Sequence, residues 1–475
     1  MSENTYEFLI IGAGPTGLGA AIQLERHRGN WHLFDSLSYF GGLAASFTDA
    51  AGFTWDLGGH VQFSHYQEFD RWMDSALGPE GWYTHVRESW IRMEGKWIPY
   101  PLQYNLHRLP PQKRWACVKG FLECSQQDLL KVTIRNFDEW ISATLGEPFN
   151  DLFMRPYCLK VWGYPISSLD HMWIDERVAV PRLHDVLRSI CLNEDYKSWG
   201  PNRTFRYPRQ GGMGSVWGNI GGQLPQERIS LNRRMVEIDP QAHVLTTDDG
   251  MRYKYDYLIS SIPLDHLVRS APGIVAPELG DTLVHNYTEV VGIGLEGQPP
   301  DWLRSMCWMY FPEDSSPYFR VTVFSNYSPY NVPHPGKQWS LLAEISGSPY
   351  REVKRDSLVD DVVAALKRDG LIDDTAPIVS KTTRHVPYGY PVPFLGRDTV
   401  VNPILREFEK RKIFSRGRFG TWKYEVSNQD HSFMQGIEVV EHIVNGHEEQ
   451  TLHYPSRINA RQDNPFPYPE WRKGS

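Results

Sequence analysis

Apolar runs alternate with amphipathic stretches along the chain, and the clearest pattern comes first. Phe8 to Ile11 is a short, continuous apolar run of the kind found in a buried parallel strand. A helix is predicted to start near Pro15, and a second apolar run covers Trp31 to Phe34. This order predicts a strand–helix–strand unit with parallel strands.

The pattern becomes helical in the next part of the chain. Tyr66 to Leu77 is predicted as a helix, and Ser89 to Trp97 as a hairpin that turns at Glu94-Gly95. From about Pro110 to Leu192 the apolar residues recur at helical spacing, which predicts an inserted helical domain. Its predicted boundary signals are a cap at Asn136 or Asp138 and a break at Pro148.

Strand patterns dominate the second half. We expect a β-meander over Ile229–Ile238, His243–Thr247 and Tyr253–Ser260, whose last strand returns to the first sheet. Between Val290 and Val392 the connections are too short for crossovers, which predicts an antiparallel sheet. Its predicted strands are VVGIGLEG, CWMYF, FRVTVFSNY, WSLLAEIS and TTRHVPYGYPVP, with one helix near Ser357–Arg368. The last predicted elements are Phe414–Phe419 and a helix over Ser432–Val444.

These elements predict an α/β fold with α+β insertions. The expected parts are a discontinuous, Rossmann-like dinucleotide domain, a helical-bundle domain and an antiparallel β-sheet domain. The predicted boundaries are 1–86, 203–272 and 405–475 for the dinucleotide domain, 104–202 for the helical domain, and 87–103 with 273–404 for the sheet domain.

Glycines at the first turn indicate a dinucleotide site. Gly12, Gly14 and Gly17 have GxGxxG spacing between the first strand and its helix. Gly12 allows the tight turn, Gly14 lets the backbone approach a pyrophosphate, and Gly17 lets the helix pack closely on the strand. Asp35 follows the second strand, about 20 residues on, where a carboxylate can accept the ribose hydroxyls.

Two further glycine turns favour FAD over NAD. Gly41-Gly42-Leu43-Ala44 and Gly58-Gly59-His60 follow soon after Asp35. A flavin needs extra close backbone approaches for its ribityl chain and ring, whereas NAD does not. The pattern resembles flavoproteins with two dinucleotide-binding regions, such as amine oxidases and protoporphyrinogen oxidases.

Composition narrows the partners. The 475 residues carry 49 basic and 57 acidic side chains and a net charge of −8, so nucleic acid is not indicated and an anionic ligand must meet a local arginine cluster. There is no signal-like start and no apolar run of about 18 residues, which predicts a cytoplasmic protein without a membrane partner. Five scattered cysteines without CxxC spacing indicate neither disulfides nor a metal site.

Longer blocks carry a closer resemblance. GGHVQFSHY at Gly58–Tyr66, LFMRPY at Leu152–Tyr157, WGPN at Trp199–Asn202 and FSNYSPYN at Phe324–Asn331 resemble the eukaryotic-type UDP-galactopyranose mutases, as do SRGRFG and NQDHSFMQG near the end. The resemblance implies an isomerase that interconverts UDP-galactopyranose and UDP-galactofuranose. It further implies that N5 of FAD, reduced by NADPH or NADH, attacks the anomeric carbon while UDP leaves.

The resemblance also implies the site residues. The catalytic positions are His60 beside the flavin and the diphosphate-binding pair Arg177 and Arg320. The cofactor positions are Gly12, Gly14, Thr16, Gly17, Asp35, Gly42, Leu43, Gly59, His60, Arg418, Asn428, Gln429 and Ser432. His65, Arg87 and Ser89 also match positions near the flavin. The substrate positions, beside the two arginines, are Phe63, Tyr100, Gln103, Phe153, Tyr157, Trp162, Asn202, Tyr310, Tyr327, Tyr390, Tyr424 and Asn428.

Two positions depart from the family pattern and leave alternatives open. Leu102 stands where an aromatic is usual and Cys158 where an asparagine is usual, both in the implied base pocket. A mutase for another nucleotide sugar is therefore one alternative. An amine-oxidase-like oxidoreductase that shares the FAD half is another, and a flavoprotein that only senses or scaffolds is a third. The sequence leaves homo-oligomerisation open.

Overall fold

The computed structural model describes residues 4–127, 132–174, 177–197, 200 and 203–460. Two seven-stranded sheets, two two-stranded sheets and a mostly helical region make up this part of the chain.

The strands are β1 Asn4–Ile11, β2 Trp31–Phe34, β3 Ser46–Thr48, β4 Thr54–Asp56, β5 Trp82–Val86, β6 Ser89–Met93, β7 Lys96–Pro99, β8 Thr204–Pro208, β9 Ile229–Ser230, β10 Met235–Asp239, β11 Val244–Thr247, β12 Arg252–Ser260, β13 Tyr287–Glu296, β14 Trp308–Tyr310, β15 Arg320–Val323, β16 Gln338–Gly347, β17 Ile378–Val386 and β18 Ile413–Ser415. The helices are α1 Pro15–Arg26, α2 Gln67–Leu77, α3 Pro111–Ser125, α4 Phe137–Leu145, α5 Glu147–Phe149, α6 Arg155–Trp162, α7 Leu183–Leu192, α8 Gly212–Gly222, α9 Leu264–Ser270, α10 Glu278–Asp281, α11 Leu358–Arg368, α12 Arg397–Glu409, α13 Gln429–Asn445, α14 Gln450–His453 and α15 Pro455–Asn459.

The first sheet has the order β10-β11-β12-β1-β2-β9, with β18 against β12. Its central strands β12, β1 and β2 are parallel, and the apolar run Phe8–Ile11 is buried between them as predicted. Helices α1 and α13 pack together against this sheet in one hydrophobic cluster. Because β1, β2 and β12 run parallel, their carboxyl ends lie at one edge of the sheet.

The second sheet has the order β17-β13-β16-β15-β14-β6-β7. All ten residues of β16 are buried, since this strand has a neighbour on each side and packed layers on both faces. The sheet is antiparallel except where β14 runs parallel to β6. The predicted antiparallel pairing is therefore confirmed for the strands within Val290–Val392, and the parallel pair involves β6 from the earlier hairpin. The helical region lies between β6 and β14 in the sequence, so the connection is long enough for a crossover.

The helical region follows the predicted pattern closely. Asn136, rather than Asp138, caps α4, because its side chain accepts the Glu139 backbone N–H at 2.9 Å. The break falls at Gly146, which has a positive φ of 90°, and Pro148 is the second residue of the next short helical turn rather than the end of the previous helix. The cores of α3, α4 and α6 join β6 and β7 in one apolar cluster, so this region is packed on the second sheet.

Four further boundaries differ from the predictions. The stretch Ile229–Ile238 forms two strands, because Asn232 between them takes a left-handed conformation. As a result β9 pairs with β2, and β10 pairs with β11. The segment after Val323 turns into a 3₁₀ helix over Phe324–Asn326, and β17 ends at Val386, before the predicted proline-rich tail. Helix α13 begins at Gln429 rather than at Ser432, which brings its first turn to the cavity described below.

Candidate functional site

One large cavity lies between the two sheets and the helical region. Its volume is about 1110 Å³, which exceeds the roughly 300–1000 Å³ of a typical single-ligand pocket. One end is lined by the turn after β1 and by the start of α13, and the other by β14, β15 and the residues that follow β17. The cavity therefore has room for a long cofactor and for a second ligand.

The glycines of the first turn have separate structural reasons. A Cβ on Gly17 would lie 1.7 Å from the carbonyl oxygen of Gly12, so only glycine allows helix α1 to approach the turn. A Cβ on Gly14 would meet only Gly41 and Gly42, at 3.9–4.0 Å, and would otherwise project into the cavity. Packing therefore does not require a glycine at position 14. The glycine instead leaves space for a ligand above the N-terminus of α1.

Asp35 lies at the cofactor end of the cavity. Its carboxylate accepts the backbone N–H groups of Ala13 at 2.6 Å and Leu37 at 2.7 Å. Burial raises the pKa of Asp35, and these two hydrogen bonds partly offset that rise. The position after β2 and the fixed orientation suit a carboxylate that accepts ribose hydroxyls.

The first turn of α13 is tied to the loop that carries His60. Asp430 accepts the backbone N–H of His65 at 3.0 Å and bonds its Nδ1 at 2.7 Å, with both side chains 1 % exposed. His431 stacks on His65 with the ring centroids 4.8 Å apart. Asn428, Gln429 and Ser432 line the cavity from the same turn. The helix N-terminus and the Gly58–His65 loop are thus held as one unit.

His60 faces the middle of the cavity as a neutral imidazole. Burial lowers the pKa of His60 to about 4, although the nearby Glu344 carboxylate acts in the opposite direction. Its Nδ1 is buried and has no hydrogen-bond partner among the described residues. At neutral pH the ring can therefore donate or accept one hydrogen bond to a ligand, and it adds no positive charge.

Five guanidinium groups meet in this cavity of an acidic protein, from Arg87, Arg177, Arg320, Arg384 and Arg418. Arg177 donates to the Glu425 carbonyl at 2.7 Å, and its buried Nη1 has no partner within the described ranges. Arg418 donates to Ser427 and to the Gly389 carbonyl, and it has no carboxylate partner among the residues that the structure describes. Such a cluster favours an anionic ligand.

Arg320 differs from Arg177 and Arg418 because it forms an ion pair with a carboxylate, that of Glu344. Its Nε and Nη2 donate to the two carboxylate oxygens of Glu344 at 2.5 and 2.7 Å. The two residues face each other directly across β15 and β16, and Tyr310 faces Arg320 from β14. The remaining N–H groups of Arg320 are available to a ligand in the cavity.

Tyrosine rings form the wall around these arginines. Tyr100, Tyr310, Tyr390 and Tyr424 all line the cavity. Tyr100 lies 5.0 Å from Tyr310, and Tyr390 lies 5.8 Å from Tyr424, between ring centroids. The guanidiniums of Arg418 and Arg177 lie 4.9 and 5.4 Å from the ring centres of Tyr390 and Tyr424, respectively. Hydroxyls and charged groups therefore converge on the space next to His60.

The structure brings most of the predicted site residues together. The cavity is lined by Gly12, Gly14, Thr16, Asp35, Gly42, Leu43, Gly59, His60, Phe63, Arg87, Tyr100, Arg177, Tyr310, Arg320, Tyr390, Arg418, Tyr424, Asn428, Gln429 and Ser432. Gly17, His65 and Ser89 lie behind it, and Asn202 lies outside the described residues.

Five predicted substrate residues are not part of the cavity wall. Phe153 stacks on Tyr157, which touches Tyr310, and Trp162 packs on Tyr424, so these three rings lie one layer behind the wall. Gln103 donates to the Ala179 carbonyl, and its Oε1 has no partner among the residues that the structure describes. Tyr327 is buried among Phe205 and Tyr207. Their substrate roles stay predictions.

Glu344 is the main residue that the sequence analysis missed. It lines the cavity and is only 3 % exposed. Its signal in the sequence is a single acidic residue inside the apolar run WSLLAEIS, where an unpaired charge would be costly. The partner could not be found without the register of β15 and β16.

The residues present fit FAD. Gly14 keeps open the space above the N-terminus of α1, Asp35 offers an oriented carboxylate, and the N-terminus of α13 lies at the same cavity. When bound, FAD would be held by these groups and by Arg418, with the Gly58–His65 loop beside it.

Comparison with known proteins agrees with this geometry. The family model "Flavin containing amine oxidoreductase" matches residues 15–394. A crystal structure of reduced UDP-galactopyranose mutase is 44 % identical, with a TM-score of 0.92, over 96 % of this chain and 99 % of that chain. The chain belongs to the UDP-galactopyranose mutase family. It is accordingly an FAD enzyme.

More distant structures show the fold alone. A putative protoporphyrinogen oxidase from Exiguobacterium sp. 255-15 is 18 % identical, with a TM-score of 0.71, over 93 % of this chain and 99 % of that one. A putrescine oxidase bound to putrescine is 15 % identical, with a TM-score of 0.62, over 93 % and 100 %. The mutase family thus shares the amine-oxidase fold, as the glycine pattern predicted.

Two remaining features concern membranes and metals. None of the helices in the described part of the chain combines the length and apolar character needed to cross a bilayer.

His65, Asp430 and His431 have ligand-type atoms within 4.8 Å of one another, a grouping that the sequence analysis did not anticipate. Because Asp430 already bonds His65 twice, we interpret this group as the anchor of the His60 loop.

Proposed function

We propose that the protein interconverts UDP-galactopyranose and UDP-galactofuranose. The observation that carries this proposal is the placement of Arg177, Arg320 and four tyrosines at one end of a cavity whose other end fits FAD. A diphosphate needs fixed guanidiniums, and charge-assisted contacts of this kind contribute roughly 1.5–3 kcal/mol each. The similarity to a UDP-galactopyranose mutase over nearly the whole chain supports the same substrate.

Reduced FAD supplies a nucleophilic nitrogen, N5, for the anomeric carbon of the sugar. The protein orients the reactants and holds the leaving diphosphate. Arg177 offers its unpaired Nη1, and Arg320 offers the N–H groups that Glu344 leaves free. Both would stabilise negative charge on the diphosphate as its bond to the sugar breaks.

His60 and the tyrosines position the sugar. The low pKa of His60, about 4, keeps its ring neutral at physiological pH, so it hydrogen-bonds without repelling a cationic sugar centre. The hydroxyls of Tyr310, Tyr390 and Tyr424 face the same space and bind the sugar or the phosphates. Burial raises the pKa of Tyr390 to about 12, so its hydroxyl keeps its proton and donates it in a hydrogen bond.

NADPH or NADH is the proposed source of electrons, because the reaction needs a reduced flavin and the isomers themselves supply none. The proposed setting is the cytoplasm. Homo-oligomerisation is left open. The reductant rests on the family resemblance and the cytoplasmic setting on the sequence, and both are independent of the site geometry.

A mutase for another nucleotide sugar is the second candidate. Leu102 and Cys158 are 0 % and 5 % exposed and belong to the same apolar cluster as Phe153 and Trp162. Burial raises the pKa of the Cys158 thiol to about 12, so it offers a weak, neutral donor in place of an amide. Neither residue lines the cavity, so looser discrimination of the base is expected only if this cluster contacts the base.

Product analysis tests both candidates. Dithionite-reduced protein is incubated without oxygen with UDP-galactopyranose, TDP-galactopyranose or GDP-galactopyranose, and the furanose products are separated by chromatography. Turnover of the UDP sugar is expected, with TDP as the better of the two alternatives. Furanose formation from the GDP or TDP sugar alone would assign another nucleotide, and oxygen consumption with an amine would assign an oxidase.

A further inference from the structure

The Arg320–Glu344 pair places a buried negative charge inside a site that must bind an anion. Glu344 is 3 % exposed and holds Arg320 through both carboxylate oxygens. Asp35 is the other carboxylate of the cavity wall in the described residues, and it lies at the far, dinucleotide end. Glu344 is thus the acid that a ligand beside Arg320 would face.

The surroundings of Glu344 fix its position. A Cβ on Gly58 would lie 3.2 Å from Glu344 Oε1, and one on Gly59 would lie 3.3 Å from Oε2. The loop before His60 therefore rests directly on the carboxylate. Because β16 is buried along its whole length and both carboxylate oxygens are bound by Arg320, we expect the side chain to keep this position when a ligand arrives.

A strong anion site does not need such a carboxylate. Arg177 and Arg418, in the same cavity, donate to carbonyls and a hydroxyl, and neither has a carboxylate partner among the described residues. Of these three arginines, Arg320 is the one that a described carboxylate neutralises, and it faces Tyr310 across the sheet at the reacting end. The offset therefore limits how tightly the site holds a diphosphate, which a turnover cycle requires.

We propose that Glu344 is a positioning residue that orients Arg320 and lowers the affinity of the site for the diphosphate, so that the leaving UDP is retained without becoming trapped. This inference rests on the proposed binding of a nucleoside diphosphate. It adds a role for a residue that contacts Arg320 and the backbone of the His60 loop, not the reacting atoms.

The test is Glu344→Gln, which keeps the shape and one acceptor but removes the charge. UDP binding to the oxidised holoenzyme is measured by calorimetry, and turnover is measured with the reduced enzyme. The dissociation constant for UDP is expected to fall about fivefold or more, while kcat falls because the UDP-linked product dissociates more slowly and Arg320 is less firmly oriented. The rise in Tm on adding UDP should also be larger than for the wild type.

Glu449→Gln is the matched control. Glu449 is also buried and holds an arginine, Arg416, through Nε and Nη2, but neither residue lines the cavity. This variant should bind UDP like the wild type. If Glu344→Gln does not fold, Glu344→Asp keeps the charge and should bind UDP within about twofold of the wild type.

The outcomes separate the inference from the proposed function. Absence of UDP binding by the wild-type holoenzyme would overturn the proposed function itself. Normal wild-type binding with an unchanged or weaker affinity in Glu344→Gln, or a fivefold tightening in Glu344→Asp or Glu449→Gln, would overturn the role of Glu344 alone.

Discussion

Single residues in one motif act for different reasons. Gly17 is required because a side chain would collide with the Gly12 carbonyl, whereas Gly14 borders the cavity and touches nothing that a Cβ would displace. The motif therefore contains one position that serves folding and one that serves the ligand, and substitution can separate them.

Gly14→Val should fold and lose FAD. The β-branched side chain would fill the space that the pyrophosphate occupies, so we expect a colourless protein with near-normal secondary structure. Absorbance at 450 nm after desalting and circular dichroism measure the two properties. Gly17→Ala is the comparison, because it should lower the Tm through its backbone collision. A yellow Gly14→Val protein with full flavin content would contradict this account.

Arg177→Ala and Arg320→Lys should each raise the UDP dissociation constant at least about tenfold, or roughly 1.4 kcal/mol. Lysine cannot hold Glu344 at two points and face a phosphate at once. Calorimetry on the oxidised holoenzyme gives the constants. Arg269→Ala serves as the control, because Arg269 pairs with Asp265 and Asp281 outside the cavity. Unchanged UDP affinity in both site variants would move the phosphate site elsewhere.

At the scale of single residues, the sequence was sufficient to predict those site residues whose structural setting is formed by neighbouring residues in the chain. Asp35 and the three glycines have roles set by a short strand–turn–helix, so their spacing was enough. Glu344 depends on the register of two strands that meet only after folding. The pairing of His65 with Asp430 joins positions 365 residues apart, and no spacing rule reaches so far.

At the scale of elements, helix α13 and the His60 loop depend on each other. Asp430 lies in the first turn of the helix and receives two hydrogen bonds from His65. Burial alone would raise the pKa of Asp430, but the two histidines lower the pKa of this carboxyl well below its ordinary value. Its contribution to stability is therefore complete above about pH 4 and is lost as the pH falls through the folded-state pKa.

Asp430→Asn should lower the free energy of unfolding by roughly 1.5–3 kcal/mol at pH 7, since a hydrogen bond to a charged group is lost. It should also weaken FAD binding, because the loop that carries Gly59 and His60 is no longer tied to α13. Urea unfolding and flavin release measure the two effects. Glu438→Gln, further along the helix, should reduce stability but leave FAD affinity unchanged. Equal flavin loss in both variants would contradict a specific anchor.

Element boundaries were predicted where the signal is local and missed where tertiary packing decides. The strand Trp31–Phe34 and the hairpin turn at Glu94-Gly95 are confirmed, because apolar runs and turn residues define them. The division of Ile229–Ile238 depends on Asn232, whose left-handed conformation lets two strands join opposite edges of the sheet. The parallel β6–β14 pair depends on the route of the chain around the helical region.

At the scale of the whole molecule, two sheets share one cavity. The first sheet, assembled from three stretches, brings the glycine turn and α13 to one end, and β14, β15 and β16 bring Tyr310, Arg320 and Glu344 to the other. The fold is shared with oxidases, so the reaction must be decided by the groups at the second end. Pyranose and furanose are isomers, and no electrons leave in the product.

The most direct test of the central claim is an electron count during turnover. The enzyme is reduced once with a stoichiometric amount of dithionite without oxygen, excess reductant is removed, and UDP-galactofuranose formation from UDP-galactopyranose is followed. The account predicts no product from the oxidised enzyme and many turnovers from a single reduction, with the flavin still reduced at the end. Activity of the fully oxidised enzyme, or one reductant consumed for each sugar converted, would contradict it.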